Sequence, residues 1–248
     1  MSGHSKWSTI KRAKGAADAK RGQLFTKLAR EIAVAARAGL PDPEYNVRLR
    51  LAIERARAAS MPKENIERAV ARAAGEGAGD NYDEIWYEGY GPGGAAVMVQ
   101  AMTDNRNRTV GEVRALFTRA GGSLGESGSV GWMFDHVGLV VIEPNGGNPD
   151  EIALVAIDAG ATDVATEDEA VEVYTEPTDL HVVQESLKAA GYAVESAELT
   201  MKPKTTMAPE PEQAVKVIRL VEKLEDLDDV QAVHTNLEIT DEVMAQVG

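Results

Sequence analysis

The chain is predicted to be an α+β protein, and three observations predict it. From residue 1 to about 80 the apolar period is that of helices alone. Beyond about residue 95, short apolar runs that read as strands alternate with amphipathic helical stretches. Between the two regimes lies 87–109, YEGYGPGGAAVMVQAMTDNRNRT, where a Gly/Pro turn feeds a strand that empties into a polar turn. The 248 residues suffice for two or three compact domains.

Residues 1–17, with Gly3, Gly15 and scattered Ser, have no apolar period and read as an arm. A helix is expected from about Asp18 to Ala38, ended by Gly39 with Pro41 beyond. Its Leu24, Leu28, Ile32 and Ala35 form a core stripe, and Lys20, Lys27, Arg30 and Arg37 occupy the neighbouring sector. A second helix spans roughly 44–59, with Val47 and Leu51 one turn apart. Pro62 opens a third, whose Ile66, Ala69, Val70 and Ala73 repeat at helical spacing until Gly75. The segment 75–80, GEGAGD, lacks the third glycine of a dinucleotide fingerprint and follows a helix, so it reads as a linker.

A strand follows at 95–102, then the turn 103–108, then a helix to about 120 for which Thr109 is the expected cap and Glu112 its reciprocal partner. A further strand is expected near 130–135. The run from 139 to 199 reads strand, helix, strand, strand, helix, strand, which is the ferredoxin-like order. A helix at 209–225 and a strand at 230–235 are surplus to it. The simplest assignment is a basic helical domain at 1–80, a discontinuous α/β domain at 81–135 and 201–248, and an inserted ferredoxin-like domain at 136–200.

The formal net charge of −14 is unevenly spread. Residues 1–75 hold 16 basic and 7 acidic side chains, a balance of +9, whereas 76–248 hold 10 and 33, a balance of −23. Within 1–30, eight basic side chains face only Asp18. Because salt screens distant charge, such a block attracts a polyanion even on an acidic protein, and the acidic remainder confines a phosphate backbone to the head. Trp7, between Lys6 and Lys11, suits stacking on a base or pinning the arm to its own domain. Arg106 and Arg108, beside a helix start, suit either a solvated cap or a phosphate or carboxylate.

Other chemistries are excluded or unsupported. With no cysteine there is no disulfide, thiol catalyst or zinc ribbon. His4, His136, His181 and His234 lie apart and show no metal-ligand spacing, so neither a catalytic residue nor a metal or other cofactor is expected. No apolar run reaches membrane-spanning length, and the polar N-terminus lacks a signal-peptide core. Its basic, acid-poor start matches a mitochondrial presequence, but the acidic body favours a cytoplasmic protein.

Several long motifs, in order, resemble the YebC/PmpR family: GHSKW at 3–7, DAKRGQLFTKLAREI at 18–32, RLRLAIERARAASMPKENIERA at 48–69, YEGYGPGG at 87–94, TDNRNRTVGEVR at 103–114 and GGSLGESGSVGWMF at 121–134. The resemblance covers essentially the whole chain. It implies a non-enzymatic protein of three domains, the third inserted in the second. By its label the family comprises probable DNA-binding transcriptional regulators. Its mitochondrial branch, translational activators of cytochrome c oxidase, points instead to ribosomal RNA and to elongation through proline-rich stretches. The nucleic-acid-binding residues expected on charge and resemblance together are Lys6, Trp7, Lys11, Arg12, Lys14, Lys20, Arg21, Lys27, Arg30, Arg37, Arg106 and Arg108. The expected partner is DNA or ribosomal RNA, with no membrane and no small-molecule substrate. A ligand-sensing scaffold with an incidental basic head is the third reading, and the sequence leaves the oligomeric state open.

Overall fold

The computed structural model describes residues 19–75, 81–143, 147–167 and 170–247. It has two compact units. The larger holds the described residues up to Trp132 together with Met207–Leu237, and the smaller holds Met133–Thr206 and the segment from Glu238.

In the larger unit, three helices come first: α1 (Ala19–Ala38), α2 (Val47–Ala58) and α3 (Lys63–Ala74). Their apolar stripes meet in one core built on Leu28, Ile32, Leu49, Ala52, Ile53, Ala56, Met61, Ile66 and Ala69. Asn46 joins two of the helices. Its side-chain oxygen caps α2 at the Leu49 N–H (3.0 Å), while its amide donates to Ala35 O (2.8 Å) and Leu40 O (2.9 Å). The second helix thus begins at Val47, because Asn46 and not Glu44 supplies the cap.

Helix α2 ends in a left-handed residue, Ser60 (φ 60°), closed by Ser60 N–H to Arg57 O and Met61 N–H to Ala56 O, both 2.9 Å. Glycine fills the same place after Ala120, where Gly121 has φ 85°. A serine there strains its Cβ against the backbone, so Ser60→Gly is expected to raise stability by about 0.5–1 kcal/mol. Urea unfolding of the two proteins checks this, and a loss of stability would contradict it.

The head leads into a four-stranded sheet of order β3-β1-β2-β8, comprising β1 (Asp83–Tyr90), β2 (Ala96–Thr103), β3 (Ser123–Leu124) and β8 (Val230–Thr235). Strand β1, DEIWYEGY, is not among the strands that the sequence predicts. Its mixed charge hides the period, yet it pairs with β2 along its whole length, from Asp83↔Thr103 to Tyr90↔Ala96. Helices α4 (Arg106–Ala120) and α7 (Pro211–Glu225) pack in the same unit, burying Val113, Phe117, Val217, Ile218 and Leu224.

The smaller unit contains β4 (Phe134–Ile142), α5 (Pro149–Asp158), β5 (Asp163–Glu167), β6 (Ala170–Thr175), α6 (Leu180–Ala189), β7 (Val194–Pro203) and a last helix, α8 (Asp241–Val247). Its sheet order is β5-β6-β4-β7 with every neighbour antiparallel, the arrangement of the expected β-α-β-β-α-β order. The separate strand expected at 130–135 does not form. Gly131–Met133 is a 3₁₀ turn, and one strand runs unbroken from Phe134 to Ile142, paired with β7 from Phe134↔Pro203 onward. No helix among the described residues is long and apolar enough to cross a membrane.

Candidate nucleic-acid interface

Helix α1 buries Leu28, Ile32, Ala35 and Ala36 in the three-helix core, which turns the adjacent sector toward the loop between α7 and β8. There the cations meet acceptors of the protein itself. Lys27 Nζ donates to Glu225 O (2.5 Å), and Arg30 donates to Asp228 O (2.6 Å) and Asp229 Oδ1 (2.8 Å). Gln23 joins them through Asp226 O (2.6 Å) and Asp228 Oδ1 (3.0 Å). Arg37 donates to Asn81 Oδ1 (3.0 Å). The sector expected to face a phosphate backbone is therefore, for Lys27 and Arg30, a seam that fastens α1 to the segment entering β8. Ordinary helical periodicity identifies the sector but not what lies opposite it.

Asp229 is the centre of this seam. Only 4% of its side chain is exposed, and its carboxylate accepts from Arg30, from Arg108 (2.8 Å), from Thr103 Oγ1 (2.9 Å) and from Thr109 Oγ1 (2.7 Å). Four side chains from α1, β2 and α4 thus converge on one acid ahead of β8. Burial pushes its carboxyl up, but the bonds from Arg108, Thr109 and Thr103 and the Arg30 charge outweigh that and hold it below the usual carboxylate range.

The turn carrying Arg106 and Arg108 is bound in the same way. Arg106 Nε donates to Asp83 Oδ2 (2.8 Å) and Arg108 to Asp104 Oδ1 (2.7 Å) as well as to Asp229. The helix cap is Asn105, whose side chain accepts from the Arg108 N–H (3.1 Å). Thr109, the expected cap, lies inside α4 and is fully buried, its hydroxyl committed to Asp229. In the folded chain Asn105 caps the helix, and the two arginines, both still partly exposed, bond carboxylates of the protein itself.

A second anion site is occupied by the protein. The Glu88 carboxylate, on β1, accepts the backbone N–H groups of Gly128 (2.8 Å), Val130 (2.8 Å) and Gly131 (2.6 Å). Gly128, at φ 87°, supplies the left-handed turn that points these N–H groups inward. Burial raises the Glu88 pKa, and the three backbone donors more than reverse it.

Of the remaining expected contacts, Arg21 is exposed, its guanidinium 5.6 Å from the Phe25 ring centre. Lys6, Trp7, Lys11, Arg12 and Lys14, and the side chain of Lys20, lie outside the described residues. Two cations absent from the expected set, Arg68 and Arg72, are exposed on α3. They stand at i, i+4 beside the Ile66/Ala69 stripe, and that spacing was the available signal. Among the described residues, no group of three or more His, Cys, Asp or Glu side chains could hold a metal ion.

The described chain is thus an α+β protein with a helical head and two antiparallel sheets, in which the Asp229 and Glu88 carboxylates are committed to internal bonds. Two family models match it: the TACO1/YebC N-terminal domain over residues 5–76, and the TACO1/YebC second and third domain over 82–237. The chain belongs to the TACO1/YebC family.

A "probable transcriptional regulatory protein" of Pelotomaculum thermopropionicum is 56% identical over 243 residues, spanning 97% of this chain and 100% of that one. One of the same name from Roseiflexus castenholzii is 56% identical over 251 residues, covering 99% and 98%. The crystal structure of a conserved hypothetical protein of Aquifex aeolicus superposes with a TM-score of 0.82 at 50% identity, covering 89% of this chain and 91% of that one.

Proposed function

We propose that this protein is a non-enzymatic, nucleic-acid-binding regulator of gene expression, acting in the cytoplasm, whose contact lies on the basic head. The observation that carries this reading is the segregation of charge, +9 on residues 1–75 against −23 on the rest. Lys27 and Arg30 are fastened to the α7–β8 loop and Arg37, Arg106 and Arg108 to nearby side chains, so this reading puts the contact first on Lys6, Lys11, Arg12, Lys14, Lys20 and Arg21. The relatives' name supports DNA as the partner.

A ribosomal RNA partner, and with it a role in translation, is the second reading. It is supported by Trp7 set among cations and by an acidic body that repels a wrapped duplex.

Replacing Lys11, Arg12, Lys20 and Arg21 together with alanine is expected to weaken binding. It should also flatten the salt dependence, by about one unit of log–log slope for each phosphate no longer neutralised. Titration against a labelled duplex and against ribosomes at several salt concentrations reads both quantities. Unchanged affinity and slope would remove the head as the contact. In direct competition at physiological salt, retention on ribosomes with no motif selected from a random duplex pool favours translation, and the reverse favours transcription.

A further inference from the structure

Between α1 and α3 runs a groove of about 340 Å³, lined by Arg30, Arg37, Arg68 and Arg72 with Phe25 and Tyr82 among its walls. Among the described residues no acidic side chain lines it. Such exclusion of carboxylates is selective for an anion. Arg68 and Arg72 are exposed, and neither makes an ion pair or side-chain hydrogen bond among the described residues. One turn apart, they stand about 6 Å from each other along the helix axis, so both can hold phosphates of one strand.

The rest of the groove offers different chemistry. Arg30 lies over the Tyr82 ring at 5.2 Å while its guanidinium stays bonded to Asp228 and Asp229, giving a fixed flat surface. Asn65 and Thr26, also in the lining, offer polar groups that suit a ribose hydroxyl. The volume lies at the low end of the ~300–1,000 Å³ of small-ligand pockets, room for a nucleotide and not for a duplex.

We propose that the α1–α3 groove docks an unpaired stretch of RNA, with Arg68 and Arg72 on its phosphates and a base against the Tyr82–Phe25 wall. The proposal rests on the nucleic-acid reading above and adds to it a place, two residues and a strandedness. Single-strand binding of this kind combines a cationic track with aromatic platforms, and both are present here.

The test uses the full chain, a labelled single-stranded RNA of about ten nucleotides, and the same sequence as duplex RNA, single-stranded DNA and duplex DNA. Arg68→Glu/Arg72→Glu is expected to lower single-stranded RNA affinity at least tenfold, and its log–log salt slope by about 1.4. The charge-preserving double substitution Arg68→Lys/Arg72→Lys should keep most of that slope. Both positions are exposed, so the urea midpoint should not move. If the charge reversal did unfold the chain, Arg68→Gln/Arg72→Gln, which removes both charges from exposed positions, would still read the site through the same loss of salt slope.

Wild-type binding that survives the charge reversal overturns the groove and leaves the basic-head reading standing. Binding by no nucleic acid at all overturns both. Equal affinity for duplexes or for single-stranded DNA, or displacement of RNA by polyglutamate as readily as by unlabelled RNA, overturns the RNA assignment.

Discussion

Asp229→Ala is expected to cost about 3 kcal/mol of stability at neutral pH, toward the low end of what breaking a buried charge pair costs. The substitution deprives Arg30, whose side chain is only 15% exposed, of its carboxylate partner and leaves the buried Thr103 hydroxyl without its acceptor, while Thr109 keeps Asn105 O and Arg30 keeps Asp228 O. Arg108 softens the loss, because it is 44% exposed and keeps its bond to Asp104.

The effect has a defined pH dependence. The folded-state pKa of Asp229 is depressed, so its stabilisation is complete above the unfolded value of about 4 and disappears as pH falls through the folded one. Urea unfolding of wild type and variant should therefore differ fully at pH 7 and converge in acid. A difference that stayed constant down to the lowest pH at which the chain folds would contradict the network. Exchange of amides in α1 and at the Thr103 end of β2 should rise together in the variant, since this carboxylate is what Arg30 and β2 share.

Glu88→Gln is expected to cost about 2–3 kcal/mol and to act on a different segment. An amide offers one acceptor oxygen and turns an NH₂ group toward N–H donors, so at least one of the Gly128, Val130 and Gly131 amides loses its partner. The segment 125–131 should loosen, visible as faster exchange at those three amides with the α1–α3 helices unaffected. Here too the folded pKa is lowered, so the wild-type advantage holds above the unfolded value of about 4.3 and fades in acid. Unaltered exchange at Val130, which is fully buried, would show that backbone contacts alone hold the turn.

Much of the fold was legible because it is written locally. Of the stripe Leu24, Leu28, Ile32 and Ala35, visible as periodicity, the last three are in the three-helix core with Ile66 and Ala69, whereas Leu24 is 42% exposed. The ferredoxin-like order was visible as a succession of short apolar runs between turn residues, and the sheet has the matching strand order. Strand β1 was not, because Asp83, Glu84 and Glu88 break its apolar pattern. Those acids are held by Arg106, by Arg48 and by backbone amides, partners no local window contains. The cap expected at Thr109 lies at Asn105 for a related reason: both residues are competent caps, and the buried Asp229 beside Thr109 decides between them.

The sequence by itself determined the helical head, most of the elements of the two sheets (though not β1), the family and the separation of a basic end from an acidic remainder. Only the tertiary structure decided which of the described cations bond within the protein. Lys27 and Arg30 find acceptors 198 and 199 residues away, and Arg108 finds one 121 residues away, whereas Arg68 and Arg72 line a groove with no acid among its described residues. Charge is a property of composition, but its availability depends on what folding brings within hydrogen-bond distance, and that distance is set by packing between segments far apart in the chain.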